Sequence, residues 1–468
     1  MSPYSPPPGC QSAADWISRW AAISPPRVLG LDLWLTSAAE ARPEATALVA
    51  DGRSLSYSEL ERGAESAARR LAALGVGEGD RVAVTLPAGI EFGELLHATG
   101  KLGAVFVPLD PRAPDAELRW QLEDCAARVL VDEPLSGDEE GAELRSRTDR
   151  DATHSIIYTS GTTGQARGIA LSHANHDASA RGSAHNLGID PDDRWLCPLP
   201  LFHVGGLAVL LRSAVNRTTA VLHPAFDADA VAAALAAGEA TLTSLVPTML
   251  SRLRDAGLES APGLRAILLG GGPATRELLE WAAEHELPAV LSYGMTETAS
   301  QVVSCPPDQA LERLGQGRPF PGVDLEIGDH DEILVRGPMV AVEALDEDGW
   351  LHTGDRGSLD PDGWLTVEGR LKDLIVTGGE NVAPLEVESA LLEHADVVDA
   401  AVASMPDPDW GEAVVAFVVL AESVPAAALR AHCRERLAPY KVPKVIEQVA
   451  GIPRNAGGKV LRGELLPG

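Results

Sequence analysis

The sequence predicts an α/β protein with a large N-terminal domain of mostly parallel, helix-layered sheets, a small β-barrel-like part, and a smaller, mobile C-terminal α+β domain. Strand-like and helix-like patterns alternate from Ala47 onward, which is typical of parallel strands joined by crossover helices. Beyond Gly322 the turns become denser and the strands shorter, before a final α+β stretch. We expect an N-terminal domain over 1–369, a hinge over 370–372 and a C-terminal domain over 373–468.

Local signals predict each element in turn. Asp51-Gly52 predicts a tight hairpin, and residues 56–77 have amphipathic helical spacing with Ser56 or Ser58 as the N-cap. Residues 81–86 predict a buried strand, after which helix and strand patterns repeat to residue 133. Between residues 170 and 320, successive apolar runs end in polar or glycine-rich clusters. Because the carboxyl ends of parallel strands share one edge, we expect these clusters to line one crevice.

The charge and the cysteines exclude several classes of function. The 468 residues carry 38 basic and 68 acidic side chains, a net charge of −30, which disfavours nucleic acid partners and anionic lipid. The five cysteines are scattered and lack CxxC spacing, which predicts free thiols in a reducing compartment and no zinc site. The chain shows neither a secretory signal pattern nor an apolar run of spanning length. We therefore expect a cytoplasmic protein without membrane insertion, and a homodimer remains open.

The segment 158–168, YTSGTTGQARG, predicts an anion-binding loop at the end of a strand. Glycines let the backbone approach a ligand closely, and backbone N–H groups with hydroxyls make a nest for an anion. The alternative is a mobile linker of the same composition. A Walker A loop is excluded because no GK[ST] follows at the required spacing. The candidate ligand-binding residues in this loop are Thr159, Ser160, Gly161, Thr162, Thr163, Gly164 and Arg167.

Six short segments, spread over nearly the whole chain, resemble in sequence and order the motifs of one known family. They are YTSGTTGQARG (158–168), PLFHVGG (200–206), SYGMTETASQ (292–301), HTGD (352–355), GRLKDLIVTGGENVAP (369–384) and PRNAGGK (453–459). Together they resemble the adenylate-forming superfamily of acyl-CoA synthetases, nonribosomal adenylation domains and luciferases. Within this superfamily, the sequences of these segments look most like those of the o-succinylbenzoate–CoA ligases of menaquinone biosynthesis.

The resemblance implies a two-step ligase that uses ATP, Mg²⁺ and coenzyme A on a small aromatic carboxylic acid. The substrate carboxylate would displace pyrophosphate from ATP, and the coenzyme A thiol would then attack the acyl-adenylate and release AMP. Other members of the superfamily remain open, such as another aryl- or fatty-acyl-CoA ligase or an enzyme delivering to a carrier protein. So does a non-catalytic nucleotide-binding protein of the same fold.

The resemblance also assigns roles to nucleotide-site residues. Thr296 and Glu297 would contact the α-phosphate and Mg²⁺, and Lys459 would swing into the site and withdraw. Asp355 and Arg370 would hold the ribose, while Lys372 would be the hinge residue. Tyr293 would stack on adenine near Gly270, Gly271, Gly272 and Gly294, and Gly378 and Gly379 would line the pantetheine tunnel.

For the acyl substrate, the resemblance points to His203, Arg212, Ser300 and Gln301. Arg212 lies in an otherwise apolar run, and if it is buried it needs an anionic partner such as the second carboxylate of o-succinylbenzoate. Taken alone, each residue has an ordinary alternative: a core histidine, a solvent-facing arginine, a turn aspartate or a solvated lysine. Two departures from the family pattern are Ala166-Arg167 in place of the usual Pro-Lys and a short stretch between Gly337 and Trp350.

Overall fold

A computed structural model describes residues 30–50, 52–139, 141–159, 166–272, 274–310, 313, 315–377, 380–407, 410–454 and 460–466. Eight predicted site residues lie outside the described residues: Ser160, Gly161, Thr162, Thr163, Gly164, Gly378, Gly379 and Lys459. The predicted start of the chain before residue 30 lies outside them too.

The helices in the described part of the chain are α1 (Trp34–Ala41), α2 (Tyr57–Ala73), α3 (Ile90–Leu102), α4 (Asp115–Asp124), α5 (His173–Leu187), α6 (Val204–Asn216), α7 (Ala228–Ala236), α8 (Pro247–Asp255), α9 (Arg276–Glu284), α10 (Pro384–Leu392) and α11 (Ala426–Arg434). The strands up to the end of the second large sheet are β1 (Leu31–Asp32), β2 (Thr46–Ala50), β3 (Arg53–Ser56), β4 (Arg81–Val84), β5 (Val105–Pro108), β6 (Ala127–Val131), β7 (Arg147–Thr148), β8 (Thr153–Thr159), β9 (Arg167–Ser172), β10 (Arg194–Cys197), β11 (Thr219–Leu222), β12 (Leu242–Leu245), β13 (Ala266–Leu269), β14 (Ala289–Tyr293), β15 (Val303–Ser304) and β16 (Arg318–Pro319). The remaining strands are β17 (Asp324–Ile327), β18 (Glu332–Arg336), β19 (Leu351–Leu359), β20 (Leu365–Arg370), β21 (Ile375–Thr377), β22 (Glu380–Val382), β23 (Val397–Asp407), β24 (Gly411–Leu420) and β25 (Val445–Gln448).

The first large sheet has the strand order β6-β4-β5-β8-β9, with parallel pairs from β6 to β8 and an antiparallel β9 at the edge. Its interior strand β4 buries three consecutive residues, Val82, Ala83 and Val84, as expected for a strand covered on both faces. The helix predicted after Ser56 is confirmed as α2. The Ser56 side chain accepts from the N–H of Glu59, whose carboxylate accepts from the N–H of Ser56, forming a capping box.

The second large sheet has nine strands in the order β16-β15-β14-β13-β12-β10-β11-β2-β3. The pairs from β14 to β2 are parallel, and the hairpin predicted at Asp51-Gly52 is confirmed as the antiparallel pair β2–β3. The carboxyl ends of β10, β12, β13 and β14 therefore share one edge. One apolar core, which includes Leu48, Phe106, Ile157 and Leu207, joins the two large sheets.

The predicted small β part and the C-terminal α+β part are both present. Strands β17 to β20 form an antiparallel sheet in sequence order. Strands β21 to β25 form a separate sheet, and its helices α10 and α11 share an apolar core with it, with Val387, Val402 and Leu429 fully buried. Exposed Lys372 lies in the turn Leu371–Asp373 that joins the two sheets. None of the described helices has both the length and the apolar composition that membrane crossing requires.

Candidate active site

The two ends of the predicted anion-binding loop lie on the paired strands of a hairpin. Thr159, the last residue of β8, is opposite exposed Arg167, the first residue of β9. Tyr158 anchors this end of β8, because its hydroxyl donates to Asp124 Oδ2 at 2.7 Å and lies 3.0 Å from the carbonyl of Gln121. Burial, followed by the bond to Asp124, raises the pKa of the Tyr158 hydroxyl, which therefore stays protonated as a donor. The loop thus begins at the carboxyl edge of the first sheet, as predicted.

The segment after β14 makes a tight turn with unusual backbone geometry. Thr296–Thr298 forms a single 3-10 turn, and Ala299 and Ser300 follow with positive φ angles of 49° and 95°. Ser179 of α5 stabilises this turn by donating to the carbonyl of Ala299 at 2.7 Å. Left-handed conformations of non-glycine residues cluster at ligand sites, where the surrounding structure holds them.

Glu297 projects from this turn as a half-buried side chain. Among the described residues its carboxylate has no hydrogen-bonding or ion-pair partner, and only its backbone carbonyl is engaged, by the N–H of Ala341 at 2.8 Å. Carboxylate oxygens are ligands that Mg²⁺ prefers, together with phosphate oxygens and water. The donor chemistry at Glu297 therefore fits the predicted magnesium site.

Gly294 is required by close backbone approach within the same turn. A Cβ at Gly294 would lie 1.8 Å from the carbonyl oxygen of Ser300 and 2.7 Å from the Cα of Gln301. We expect Gly294→Ala to displace the Ser300–Gln301 backbone, with strong loss of ligase activity and a lower unfolding midpoint. Gly141→Ala is the matched control, since that glycine has no place in the site and a Cβ there meets no described atom within 4 Å. An active, stable Gly294→Ala protein would contradict this account.

Tyr293, Asp355 and Arg370 form one cluster although they are far apart in the sequence. The Tyr293 hydroxyl donates to Asp355 Oδ2 at 2.8 Å, and Arg370 Nε lies 2.7 Å from Asp355 Oδ1. Burial, followed by the Asp355 charge, raises the pKa of Tyr293. The structure thus brings the predicted adenine residue and the two predicted ribose residues together. Asp360, by contrast, accepts from the backbone N–H groups of its own turn, which is the ordinary role of a turn aspartate.

The predicted adenine glycines follow β13 at the shared edge of the large sheet. Gly271 has a φ of +77°, which favours glycine, and a Cβ at Gly270 would approach Ser292 Oγ to 3.1 Å. A side chain at Gly272 would meet open space among the described atoms. This backbone is therefore accessible from the crevice, as a ring edge bound against it would require.

His203 and Arg212 lie on the helix that follows β10. His203 caps the N-terminus of α6 and contacts the Phe202 ring at 4.5 Å, and burial lowers the pKa of its imidazole. Its Nε2 atom has no partner among the described residues. The neutral ring is consistent with a wall against an acyl group.

Arg212 is fully buried, with 1% of its surface exposed, so the alternative of a solvent-facing arginine is wrong. Its Nε and Nη2 atoms have no hydrogen-bond partner among the described residues, and burial lowers the pKa of the guanidinium to about 9. The guanidinium carbon lies 5.6 Å from the Trp195 ring centre. Gln301 is also buried, and its Oε1 atom is likewise unpartnered in the described part.

A cluster of buried histidines close to Arg212 escaped the sequence analysis. His154 of β8 contacts the rings of His173 and His176 of α5 at 4.8 and 5.0 Å. His176 Nε2 is 2.9 Å from Ser155 Oγ, and burial, followed by the charges of His173 and Arg212, lowers the pKa of His176. The only signal in the sequence is the spacing of His173 and His176, three residues apart, which places them on one helical face.

Comparison with known proteins agrees with this geometry. Residues 35–342 match the AMP-binding enzyme family, and residues 386–459 match the AMP-binding enzyme C-terminal domain. A 2-succinylbenzoate–CoA ligase of Bacillus subtilis is 38% identical over 470 residues, covering 92% of this chain and 97% of its own. One from Listeria monocytogenes is 37% identical over 458 residues, covering 92% and 98%.

Solved structures give the same result. The o-succinylbenzoate CoA synthetase MenE of Bacillus subtilis, in complex with the acyl-adenylate intermediate OSB-AMP, matches with a TM-score of 0.88 and 37% identity, covering 94% of this chain and 99% of that chain. ATP-bound MatB from Rhodopseudomonas palustris matches with a TM-score of 0.85 and 28% identity, covering 93% and 98%. The chain therefore belongs to the AMP-binding enzyme family, and its nearly full-length likeness is to the 2-succinylbenzoate–CoA ligases.

Proposed function

We propose that this protein is an ATP-dependent ligase that activates o-succinylbenzoate as an acyl-adenylate and transfers the acyl group to coenzyme A. The named relatives supply the reaction class. The observation that carries the substrate assignment is Arg212, a buried cation whose Nε and Nη2 atoms have no hydrogen-bond partner among the described residues. Burying a charge is costly unless an opposite charge accompanies it. A dicarboxylate can present one carboxylate for activation and the other to this guanidinium.

The position of Arg212 suits the far end of an acyl pocket. His203 marks the start of α6 at the crevice, and Arg212 is nine residues further along the helix, about 14 Å by helical rise. Trp195, which the guanidinium contacts, is two residues before the carboxyl end of β10, about 7 Å along the strand. On these estimates the guanidinium would lie beneath the crevice edge, at a depth that an aromatic acid can span.

The nucleotide end of the site is built from residues of the large sheets and the antiparallel sheet. Thr296 and Glu297 would hold the α-phosphate and Mg²⁺, and the metal would neutralise charge on the phosphate oxygens. Asp355, held by Tyr293 and Arg370, has a carboxylate suited to the ribose hydroxyls. Catalysis at such a site is mostly positioning and electrostatic stabilisation.

Replacement of Arg212 by methionine tests the substrate assignment. Losing a buried cation opposite a carboxylate costs about 2–5 kcal/mol, so we expect kcat/KM for o-succinylbenzoate to fall by about 30-fold or more. The value for benzoylpropionate, which lacks the ring carboxylate, should stay unchanged or rise. Pyrophosphate release with each acid is the measurement.

Arg181→Met on α5 is the matched control, because that arginine is exposed and paired with Asp177. If Arg212→Met lowers kcat/KM equally for both acids, Arg212 belongs to the core and does not contact the substrate. A panel of acids assayed with and without coenzyme A separates this ligase from the other members of its superfamily. If the enzyme prefers a different acid in this panel, that acid replaces o-succinylbenzoate as the assigned substrate.

The C-terminal part would close and reopen the site by turning about the 370–372 hinge at Lys372, between the domains proposed at 1–369 and 373–468. Gly378 and Gly379 would then line the channel for the coenzyme A thiol.

We place the enzyme in the cytoplasm, supported by four free, buried cysteines in the described part of the chain. Light scattering on the purified protein tests the expectation of a homodimer.

A further inference from the structure

The strand that carries Asp355 has a bulge that includes that residue. Glu332 of β18 pairs with Arg356 of β19, and Leu334 pairs with His352. Two residues along β18 therefore correspond to four along β19. Gly354, inside the bulge, has a φ of +67°. Bulges next to functional sites bend the strand and change the direction in which a side chain points. The residue that this bulge redirects is Asp355.

The carboxylate of Glu332 fixes the bulge from the neighbouring strand. Its Oε1 atom accepts from the backbone N–H of Gly354 at 2.8 Å, which satisfies a donor that the bulge removes from the strand ladder. Its Oε2 atom lies 2.9 Å from Nδ1 of His352. One half-buried carboxylate therefore holds the backbone of the bulge and the imidazole two residues before it.

His352 is held by acidic groups on both of its ring nitrogens. Nε2 lies 3.1 Å from Asp348 Oδ2 and 3.9 Å from Asp346 Oδ2, both on the loop that precedes β19. The hydrogen bonds to Glu332 and then to Asp348 raise the pKa of His352 above its ordinary value of 6.5. The nearest cation along β19, Arg356, is itself paired with Asp331 and Glu368.

The hydrogen bonds beyond the bulge lead directly to Asp355. Thr353 Oγ1 donates to the carbonyl of Ile333 at 2.7 Å and lies 3.0 Å from the backbone N–H of Asp355. Arg370, whose Nε contacts the Asp355 carboxylate, also donates through Nη1 to the carbonyl of Thr353 at 3.1 Å. Thr353, within the bulge, therefore holds the backbone of Asp355, and Arg370 holds its carboxylate.

We propose that Glu332, held by His352, is a positioning residue that sets the direction of Asp355 for the ribose hydroxyls of ATP. This inference rests on the proposed function, in which Asp355 holds the ribose. Glu332 itself touches neither the nucleotide nor the acid; it acts through Gly354 and Asp355. Its effect should consequently appear in the KM for ATP and depend on the ribose hydroxyls.

The arrangement also predicts a dependence on pH with a definite sign. Protonated His352 draws the carboxylates of Glu332, Asp346 and Asp348 together. Because the pKa of His352 is raised, this support is fully present at low pH and is lost as the pH rises through the raised value. The KM for ATP should therefore increase on the alkaline side, and the increase should disappear in His352→Gln.

The test compares Glu332→Ala and Glu332→Gln with ATP and with dideoxy-ATP, which lacks both ribose hydroxyls. Glu332→Ala should raise the KM for ATP about tenfold, as loss of a charge-assisted hydrogen bond would. The KM values for dideoxy-ATP, the acid and coenzyme A should stay unchanged. Glu332→Gln keeps an acceptor for Gly354, so its KM for ATP should match that of the unmodified enzyme at neutral pH and lose the alkaline increase.

Glu326→Ala, an exposed glutamate on β17 of the same sheet, is the control for loss of a surface carboxylate. Unfolding midpoints of all variants show whether the sheet remains folded. Equal increases in KM for ATP and dideoxy-ATP in Glu332→Ala would overturn the positioning role, provided that Asp355→Ala raises the KM for ATP and not that for dideoxy-ATP. If Asp355→Ala raises both KM values equally, the ribose assignment in the proposed function fails instead.

Discussion

Replacing Lys459 with alanine should lower the rate of pyrophosphate release by about 10²–10³-fold, as loss of one preorganised charge-stabilising group does. It should leave thioester formation from preformed acyl-adenylate unchanged. The reason is that negative charge builds on the five-coordinate α-phosphate and the departing pyrophosphate in the first step, whereas the second step is an attack on the acyl carbon and does not pass through a five-coordinate phosphorus. A lysine delivered by the C-terminal part would serve that step and would not be needed when the thiol attacks.

The described residues on either side of Lys459 support this role. Arg454 and Val460 form an isolated antiparallel bridge, so the two flanks of the segment that holds the lysine pair with each other. Arg454 Nη2 lies 2.7 Å from Asp399, and Arg462 Nη2 lies 2.7 Å from Glu388. These ion pairs attach the two flanks to the C-terminal part, which should carry the ammonium with it when it turns.

The two half-reactions are measured separately, as pyrophosphate release and as thioester formation from synthetic acyl-adenylate. Lys441→Ala is the control, because that lysine also lies in the C-terminal part but is paired with Glu386 at 2.7 Å. Comparable losses in both half-reactions of Lys459→Ala would show that the lysine supports the fold or the hinge. Our account of a residue used in one step would then be wrong.

The sequence predicts the elements whose cause is local. The hairpin at Asp51-Gly52 and the cap at Ser56 depend on residues within a few positions, and both are confirmed. Burial of Arg212 was not decided by its apolar neighbours, because an apolar run does not tell which helical face is covered. That face becomes known only when α5 and β10 are in place.

Contacts between distant segments could not be predicted from the residues alone. Tyr293 and Asp355 are 62 positions apart, and the register of β18 against β19 decides that Glu332 meets Gly354. A one-residue change of register would turn Glu332 to the opposite face of the sheet. The resemblance names Asp355, but only the fold reveals which residues hold it.

Acidification below pH 6.5 should destabilise this protein steeply because of four buried histidines. Burial lowers the pKa of His97 and His176 to about 3, that of His173 to about 4, and that of His154 well below its ordinary value. Lys101 beside His97 and Arg212 near His176 act in the same direction, whereas Asp149 near His173 opposes it. The folded protein therefore keeps these rings neutral where the unfolded chain would bind protons.

The sign follows from this difference in bound protons. Above pH 6.5 both states are neutral at these rings and the stability is fully present; as the pH falls towards the folded pKa values, the unfolded state binds more protons and stability is lost. Each histidine that stays neutral should remove about 1.4 kcal/mol per pH unit. Four together remove roughly 5 kcal/mol per pH unit, a large share of the ~5–15 kcal/mol that stabilises a typical domain.

Urea unfolding at several pH values between about 6 and about 5, where the unfolded chain binds these protons, measures this slope. His154→Leu should reduce it by about 1.4 kcal/mol per pH unit, because that ring no longer takes up a proton on unfolding. His330→Asn is the control: His330 is exposed, and asparagine tolerates its φ of 58°. If the slope of His154→Leu equals that of the unmodified protein, the cluster must already be protonated in the fold. A charged cluster would repel the neighbouring guanidinium of Arg212, so this measurement also bears on the cation proposed to bind the substrate.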